Sequence, residues 1–166
     1  MDEAQAAQIQ EFWELARGRA QRGRLDVVVG GTVASTVPPP AWSFGDNPGL
    51  ADALLGLVLT GEKTGTATAV AELVAAGEPE PQVGDLSIIL DGAGSPRALI
   101  RTTQVRRSRM GDVDAAFAAS EGEGDRTLES WRRDHGRYWR RTLAGTGVQV
   151  DDDLEVVLET FEVLYP

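Results

Sequence analysis

The chain has 166 residues and a formal net charge of −10, and Lys63 is its only lysine among 16 basic residues. This length fits one domain that buries a core without disulfides or metals. The absence of cysteine excludes disulfides, zinc–thiolate sites and cysteine nucleophiles, and the single histidine, His135, excludes a site that needs two imidazoles.

The charge is distributed unevenly along the chain. Residues 97–141 hold 11 Arg against 7 acidic residues, so the rest of the chain is strongly acidic. The acidic balance argues against broad binding of duplex DNA, which requires many exposed cations. The arginine-rich segment is interpreted either as solvated strand and helix faces or as a local basic site for a small anionic ligand.

Neither the hydropathy of the chain nor its N-terminal residues suggest a membrane. No apolar run is long enough to span a bilayer, and the N-terminal MDEAQAAQ lacks the basic and apolar regions of a signal peptide. The sequence therefore predicts a cytoplasmic protein that does not contact a membrane.

The first 40 residues are predicted to form an N-terminal helical extension to a main domain of residues 41–166. Apolar residues recur at helical spacing between Ala4 and Arg22, which indicates an amphipathic helix. Residues 25–29 are either a short strand or an extended run, and the prolines at 38–40 mark irregular structure.

The main domain alternates short strands with helices of uneven length. Asn47 and Pro48 are suited to begin a helix that Gly61 ends. The elements that follow are strand 64–68, helix 69–76, strand 86–90, a hairpin turn at 91–94, strand 97–107, a helix from Asp112 to 117, a helix 128–143 capped by Thr127, and strand 154–165. This pattern predicts an α+β fold built on a small, mainly antiparallel curved sheet or barrel.

The segment around the single lysine, Gly61 to Thr66, is the most suggestive for chemistry. Lys63 follows a helix-ending glycine, and Thr64 and Thr66 lie two residues apart on a predicted strand, where they face the same side. A buried lysine with a lowered pKa can act as a base for a threonine hydroxyl, or it can bind an anion as a cation. The alternative is a solvated lysine in a turn.

A second segment, Glu121-Gly122-Glu123-Gly124-Asp125, precedes the predicted long helix. Its acids are candidates for metal binding, for stabilising the helix N-terminus, or for general acid–base catalysis, and their spacing does not choose among these roles. His135 is interpreted as a packed, hydrogen-bonded helix residue. Trp42 and Phe44 lie in a predicted loop, where aromatic rings either stack on a base or fill the edge of a core.

Taken in chain order, these segments resemble the ASCH family, whose fold is PUA-like. The resemblance covers residues 42–165 and is carried by Phe44-Gly45-Asp46, Gly61-Glu62-Lys63-Thr64-Gly65-Thr66, Val83-Gly84-Asp85, Glu121-Gly122-Glu123-Gly124-Asp125, Trp131-Arg132 and His135. The lysine–threonine and acidic motifs at this separation are specific together, whereas either one alone is weak. The resemblance implies a small, mainly antiparallel β-barrel flanked by helices, with a cleft.

The resemblance also implies a function related to RNA. Some members of the family look like ribonucleases, and small bacterial relatives are amidohydrolases that deacylate N4-acetylcytidine. The catalytic Lys, Thr and Glu of those amidohydrolases fall by motif on Lys63, Thr66 and Glu121. Gly65 departs from the family pattern, which usually has a larger residue between the two threonines.

We therefore expect a hydrolase, either a ribonuclease or an amidohydrolase, whose cleft binds RNA or a nucleoside-type small molecule without a metal or cofactor. Thr66 is the expected nucleophile, Lys63 its base or electrostatic partner, and Glu121 a proton shuttle. The candidate substrate contacts are Trp42, Phe44, Thr64, Arg132 and Tyr138. The alternative is a non-catalytic module that binds RNA or a modified base through its loop aromatics and arginines. The sequence leaves the oligomeric state open.

Overall fold

A computed structural model describes residues 2–20 and 36–166. These residues form helices α1 (Glu3–Ala20), α2 (Pro48–Leu59), α3 (Val70–Ala76), α4 (Ala115–Ser120) and α5 (Leu128–Thr142), and strands β1 (Ala41–Trp42), β2 (Gly65–Ala69), β3 (Leu86–Leu90), β4 (Pro96–Arg109) and β5 (Glu155–Tyr165). The extended or strand segment predicted at residues 25–29 lies outside the described residues. No helix within the described ranges combines the length and apolar character needed to cross a membrane.

The strands form a five-stranded mixed sheet in the order β1-β3-β4-β5-β2. Strand β1 is parallel to β3, whereas β3 with β4 and β2 with β5 are antiparallel. The predicted α+β class is confirmed. The predicted closed barrel is corrected to an open sheet among the described strands, because β1 and β2 lie at opposite ends of the strand order. Strand β1 was not predicted, since two residues are too few for alternation to indicate a strand.

One compact unit comprises Met1–Leu59, Asp85–Arg101 and Glu162–Pro166. Helix α1 buries Ile9 and Trp13 against a cluster that includes Ile88 and Leu99. The predicted N-terminal helix is therefore confirmed, and its apolar stripe contributes to the core of this unit. The boundary predicted near residue 40 stays a prediction.

The other compact unit comprises Thr60–Gly84 and Thr102–Phe161. Its core joins Phe117 of α4 and Trp131 and Trp139 of α5 to Val156 and Leu158 of β5. Lys63 and the acidic segment that begins at Glu121 both belong to this unit, so any contact between them lies within one compact body.

Side-chain caps explain where two helices begin. The Asn47 side chain accepts a hydrogen bond from the Leu50 amide at 3.0 Å, as predicted for the start of α2. The prediction that Asp112 caps the next short helix is wrong. Asp112 ends a 3-10 turn, and Asp114 instead accepts the Phe117 amide at 2.8 Å at the start of α4. The turn is bonded by its backbone to Asp152 and Leu154, which lie far along the chain, and these bonds move the helix start by two residues.

The close approach of Gly92 to α2 gives a stability prediction. A Cβ at Gly92 would lie 2.3 Å from the Pro48 carbonyl oxygen, so Gly92→Ala must displace backbone and is expected to lower the free energy of unfolding by about 1–3 kcal/mol. Gly56, within α2, has open space around it, and Gly56→Ala is expected to raise that free energy by about 0.5–1 kcal/mol. Urea denaturation of both variants checks the pair. Equal effects of the two substitutions would contradict the packing of Gly92 on Pro48.

Candidate functional site

Lys63 is a buried lysine at a chain junction. It lies between the end of α2 and the start of β2, and Gly61, with φ 76°, terminates the helix before it. The next residue, Thr64, donates its backbone N–H to the Ser120 carbonyl at 2.7 Å and accepts the Phe161 amide at 2.8 Å. The Lys63 side chain is only 1% exposed. The solvated-turn interpretation of this lysine is therefore excluded.

The Lys63 ammonium contacts two carboxylates of the acidic segment. Its Nζ donates to Oε2 of Glu121 at 2.9 Å and to Oε1 of Glu123 at 2.7 Å. Gly122, with φ 71°, makes this approach possible, because a Cβ there would lie 2.5 Å from the Glu62 carbonyl oxygen and 3.0 Å from the Lys63 nitrogen. The glycine between the two acids thus lets their loop pack against the backbone before β2.

Glu121 is held on both of its oxygens. It follows α4 directly and is 1% exposed, and its Oε1 accepts the Trp131 indole N–H at 2.8 Å and lies 3.3 Å from Nε2 of His135. Burial alone would raise the pKa of Glu121, but Lys63, His135 and the indole together hold it well below its ordinary value of 4.5. Glu121 is therefore an ionised acceptor that anchors the Lys63 ammonium.

His135 faces hydrogen-bond acceptors through both ring nitrogens. Its Nδ1 lies 3.1 Å from the Trp131 carbonyl oxygen, and its Nε2 faces the Glu121 carboxylate. Its ring stacks on the Trp131 ring, one helical turn earlier on α5, with centroids 4.3 Å apart. Only the doubly protonated imidazole donates at both nitrogens. Burial would lower the pKa of His135, but the Glu121 carboxylate raises it above 6.5.

The same balance fixes the protonation state of Lys63. Burial alone would lower its pKa, yet the charges of Glu121 and Glu123 and their hydrogen bonds raise it above 10.5. Lys63 is therefore an ammonium ion at neutral pH and donates hydrogen bonds. This direction is opposite to the one that a general base requires. With His135 protonated, two cations and two carboxylates balance in this cluster.

The third acid of the segment has a different role. Asp125 accepts hydrogen bonds from the Ser130 and Thr127 hydroxyls and from the Thr127 amide, and these bonds hold its pKa at about 2. Thr127 itself caps α5 by accepting the Ser130 amide, as predicted. Asp125 thus stabilises the helix N-terminus, whereas the two glutamates bind Lys63. Among the described residues, no three acidic or histidine side chains are grouped as metal ligands.

The two candidate threonines, Thr64 and Thr66, follow Lys63 in the sequence and differ in their surroundings. The missing Cβ of Gly65 points at Ser120 and Phe117 of α4, so the pleat of β2 turns Thr66 to the other face. There Thr66 is in register with Glu159 of β5, whose carboxylate accepts the Thr102 hydroxyl at 3.1 Å. Thr64 is exposed, and its hydroxyl donates to the Ser120 carbonyl at 3.3 Å. The structure thus brings Lys63 into contact with Glu121 and puts Thr66 beside Glu159.

The other candidate contacts are divided between the two units. Arg132 donates to the Gly111 carbonyl at 2.5 Å, and its Nε is buried without a hydrogen-bond partner among the described residues. Tyr138 is half-buried against the core, with the Arg141 guanidinium 5.6 Å from its ring centre. In the first unit, Trp42 and Phe44 pack edge to face at 4.7 Å, and Phe44 is buried. Phe44 therefore fills a core, whereas Trp42 remains partly exposed.

The arginines of β4 are engaged in ion pairs. They pair along the strand as Arg97–Asp91, Arg101–Glu162, Arg106–Asp114, Arg107–Glu80 and Arg109–Asp153. Four of these five acids come from outside residues 97–141, so the positive balance of the arginine-rich segment is largely offset along this strand. This supports the interpretation of the β4 arginines as solvated faces.

The sequence named Glu123 only as one of several candidate acids in its segment, and it did not select Trp131 or Glu159 as site residues. Glu123 carries a readable signal, because a second glutamate flanked by glycines follows Glu121 by two residues. Trp131 and His135 are four residues apart, a spacing that places them on one helix face. Glu159 has no local signal, since only the register of β5 against β2 puts it beside Thr66.

Comparisons with known proteins identify relatives over nearly the whole chain. The family model described as ASCH domain matches residues 40–165. The chain is similar to the crystal structure of protein EF3133 from Enterococcus faecalis V583, with 31% identity, a TM-score of 0.78, and coverage of 96% of this chain and 89% of that one. It is also similar to an ASCH domain from Lactobacillus crispatus JV V101, with 27% identity, a TM-score of 0.78, and coverage of 99% and 96%. No curated protein matches the chain.

The buried ion pair predicts a large penalty for removing one partner. Glu121→Gln keeps the shape of the side chain but leaves Lys63 with one carboxylate, so the free energy of unfolding is expected to fall by about 3–5 kcal/mol. The matched control is Glu62→Gln, which breaks the half-exposed pair with Arg126 and is expected to cost less than about 1 kcal/mol. Denaturant unfolding measures both. A loss for Glu121→Gln no greater than that for the control would contradict the buried pair.

The raised pKa of His135 predicts a pH-dependent contribution to stability. The groups that face His135 are Glu121, Glu123, Lys63 and Asp134. Because its folded pKa exceeds 6.5, the stabilisation is fully present below that pH and is lost as pH rises through the folded value.

The stability difference between wild type and His135→Gln is therefore expected to be largest near pH 6 and to shrink towards about pH 9. Thermal unfolding of both proteins across this range checks it. A difference that is constant with pH, or that grows with pH, would show that folding does not raise the pKa of His135.

Proposed function

The chain belongs to the ASCH domain family, and from that premise we propose that it is a hydrolase acting on RNA or on a modified nucleoside. The observation that carries the proposal is the Lys63 ammonium, buried between two carboxylates at the position of the family's lysine motif. Removing these charges from water is costly, and a hydrophobic replacement of similar volume is often as stable. Charged side chains that stay buried despite this cost are candidates for a functional site.

The first version is acyl transfer from an N-acylated base such as N4-acetylcytidine. The Thr66 hydroxyl gives its proton to a carboxylate and bonds to the acyl carbon, and the carbonyl electron pair moves to oxygen. A protonated Lys63 suits stabilisation of that oxyanion, because it donates hydrogen bonds and carries the opposite charge.

Collapse of the intermediate breaks the carbon–nitrogen bond, and the leaving amine takes the proton. Water then cleaves the acyl-threonine ester by the same route and restores the Thr66 hydroxyl. Lys63 is already protonated, and Glu121 is a weak base because its pKa is lowered and both of its oxygens already accept hydrogen bonds, so another group must accept the proton of Thr66. The register pairing of Thr66 with Glu159 makes that carboxylate the candidate base.

The second version is cleavage of an RNA phosphodiester. The buried cation favours it to the same degree, because charge also develops on the phosphate oxygens in that reaction. The acidic chain, with its paired β4 arginines, suits recognition of a few nucleotides instead of a long duplex.

The competing proposal is a non-catalytic module that binds RNA or a modified base. It relies on Trp42 and Phe44 as a stacking surface, and burial of Phe44 leaves only Trp42 partly open for that purpose. Recovery of a bound nucleoside intact, together with a raised melting temperature, would favour this module over an enzyme.

The charge of Lys63 predicts its effect on turnover. Lys63→Ala is expected to lower kcat/KM on N4-acetylcytidine, or on short RNA if that is the substrate, by about 100-fold or more. Full retention of a measured wild-type activity would rule out a catalytic role for the lysine.

Because Lys63→Ala also leaves two carboxylates uncompensated, a pair of threonine variants provides a second test. Thr66→Val removes the proposed nucleophile with little change in volume and is expected to abolish acyl transfer. Thr142→Val makes the same change at an exposed position in the last turn of α5, outside the candidate site, and is expected to retain activity within about threefold. Equal losses in both variants would contradict the assignment of Thr66.

A further inference from the structure

Access to the Lys63 ammonium requires that a side chain move. The lysine side chain is 1% exposed, and two carboxylates cover its nitrogen at 2.9 and 2.7 Å. A ligand group that forms a hydrogen bond with Nζ must therefore take the place of one of these carboxylates.

The two carboxylates differ in how firmly they are held. Glu121 is 1% exposed and is fixed by the Trp131 indole and by His135 in addition to Lys63. The Glu123 side chain is 32% exposed. It lies between two glycines with positive φ, a backbone conformation that residues with side chains rarely adopt.

Charge balance limits what can replace Glu123. If it leaves without a substitute, the protonated Lys63 and His135 face the single carboxylate of Glu121 in a buried cluster. An uncompensated buried charge is strongly unfavourable. An incoming anionic group, such as a phosphate oxygen or a carboxylate, restores the balance, whereas a neutral group does not.

We propose that Glu123 is a displaceable counter-ion of Lys63, and that an anionic group of the ligand takes its position while Glu121 stays in place. The inference rests on the proposed function and narrows it, because it names the group that reaches Lys63 as a phosphate, another anion, or the oxyanion that forms during acyl transfer. It makes Glu123 a specificity-determining residue, because its own charge competes with the ligand for the lysine.

The test measures binding of inorganic phosphate by calorimetry at constant ionic strength. Glu123→Gln removes the competing charge at nearly constant shape and is expected to bind phosphate at least fivefold more tightly than wild type. Glu129→Gln, at the exposed start of α5, makes the same chemical change and is expected to alter the affinity less than twofold. Equal or weaker binding by Glu123→Gln, including no binding by either protein, overturns the proposal.

Glu123→Asp provides a second variant that keeps the charge and shortens its reach. It is expected to bind phosphate more tightly than wild type and more weakly than Glu123→Gln. An affinity at or below that of wild type counts against displacement. Neither measurement involves turnover, so a protein that binds phosphate in this way but hydrolyses nothing would refute the proposed hydrolase and leave this inference intact.

A spectroscopic readout identifies which carboxylate moves. The Trp131 indole N–H bonds to Glu121, so its NMR resonance is expected to stay nearly constant when wild type is saturated with phosphate. The amides of Gly122 and Gly124, on either side of Glu123, are expected to shift. A large shift of the indole with unchanged glycine amides would mean that Glu121 is displaced, which contradicts the proposal.

Discussion

The ion pair between Lys63 and Glu121 is the interaction on which the rest of the second unit depends. Its two atoms are 2.9 Å apart, and the two residues lie 58 positions apart in the chain. A buried ammonium is tolerable only if its charge is balanced and its protons are bonded. The fold meets that condition with two carboxylates from one loop, one fixed by α5 and the other partly exposed. The surrounding contacts hold the Lys63 ammonium and the Glu121 carboxylate at hydrogen-bonding distance.

Several features of the chain serve that condition directly. Gly122 allows the acidic loop to approach the backbone of Glu62 and Lys63 closely, and bonds to Ser120 and Phe161 fix the backbone at Thr64. Trp131 both packs in the core with Trp139 and bonds to Glu121. Its two roles link the stability of the unit to the geometry of the charged cluster. A substitution that loosens this core is consequently expected to alter the cluster as well.

Local sequence signals predicted most of the helices and strands, because they are marked by caps, glycines and alternation. The N-caps Asn47 and Thr127 and the hairpin at Asp91 are such cases. The predictions were wrong where contacts between residues far apart in the sequence determine a helix start or the arrangement of strands. The helix expected to begin at Asp112 begins after Asp114, where the preceding turn is bonded to Asp152 and Leu154. The expected barrel is an open sheet because the strands at the two ends of its order, β1 and β2, are not neighbours, and the parallel pairing of β1 makes the sheet mixed.

The site was predictable only in part for the same reason. Motif resemblance named Lys63 and Glu121 together, but spacing alone gives no contact between residues so far apart. The sequence left the protonation state of Lys63 open between a base whose pKa is lowered by burial and a cation that binds an anion. Its carboxylate partners outweigh burial, and only the folded structure reveals them. Glu159 has no sequence signal at all, because the strand register alone places it beside Thr66.

The central claim is that Lys63 is a buried ammonium ion held by carboxylates. The composition makes it directly measurable, because Lys63 is the only lysine in the chain. In protein labelled with ¹³Cε-lysine, a single carbon resonance reports the titration of this one group. The account predicts that the resonance keeps its protonated chemical shift across neutral and mildly alkaline pH and titrates, if the fold survives, above 10.5. A midpoint clearly below that value would show that burial prevails over the carboxylates and would contradict the account.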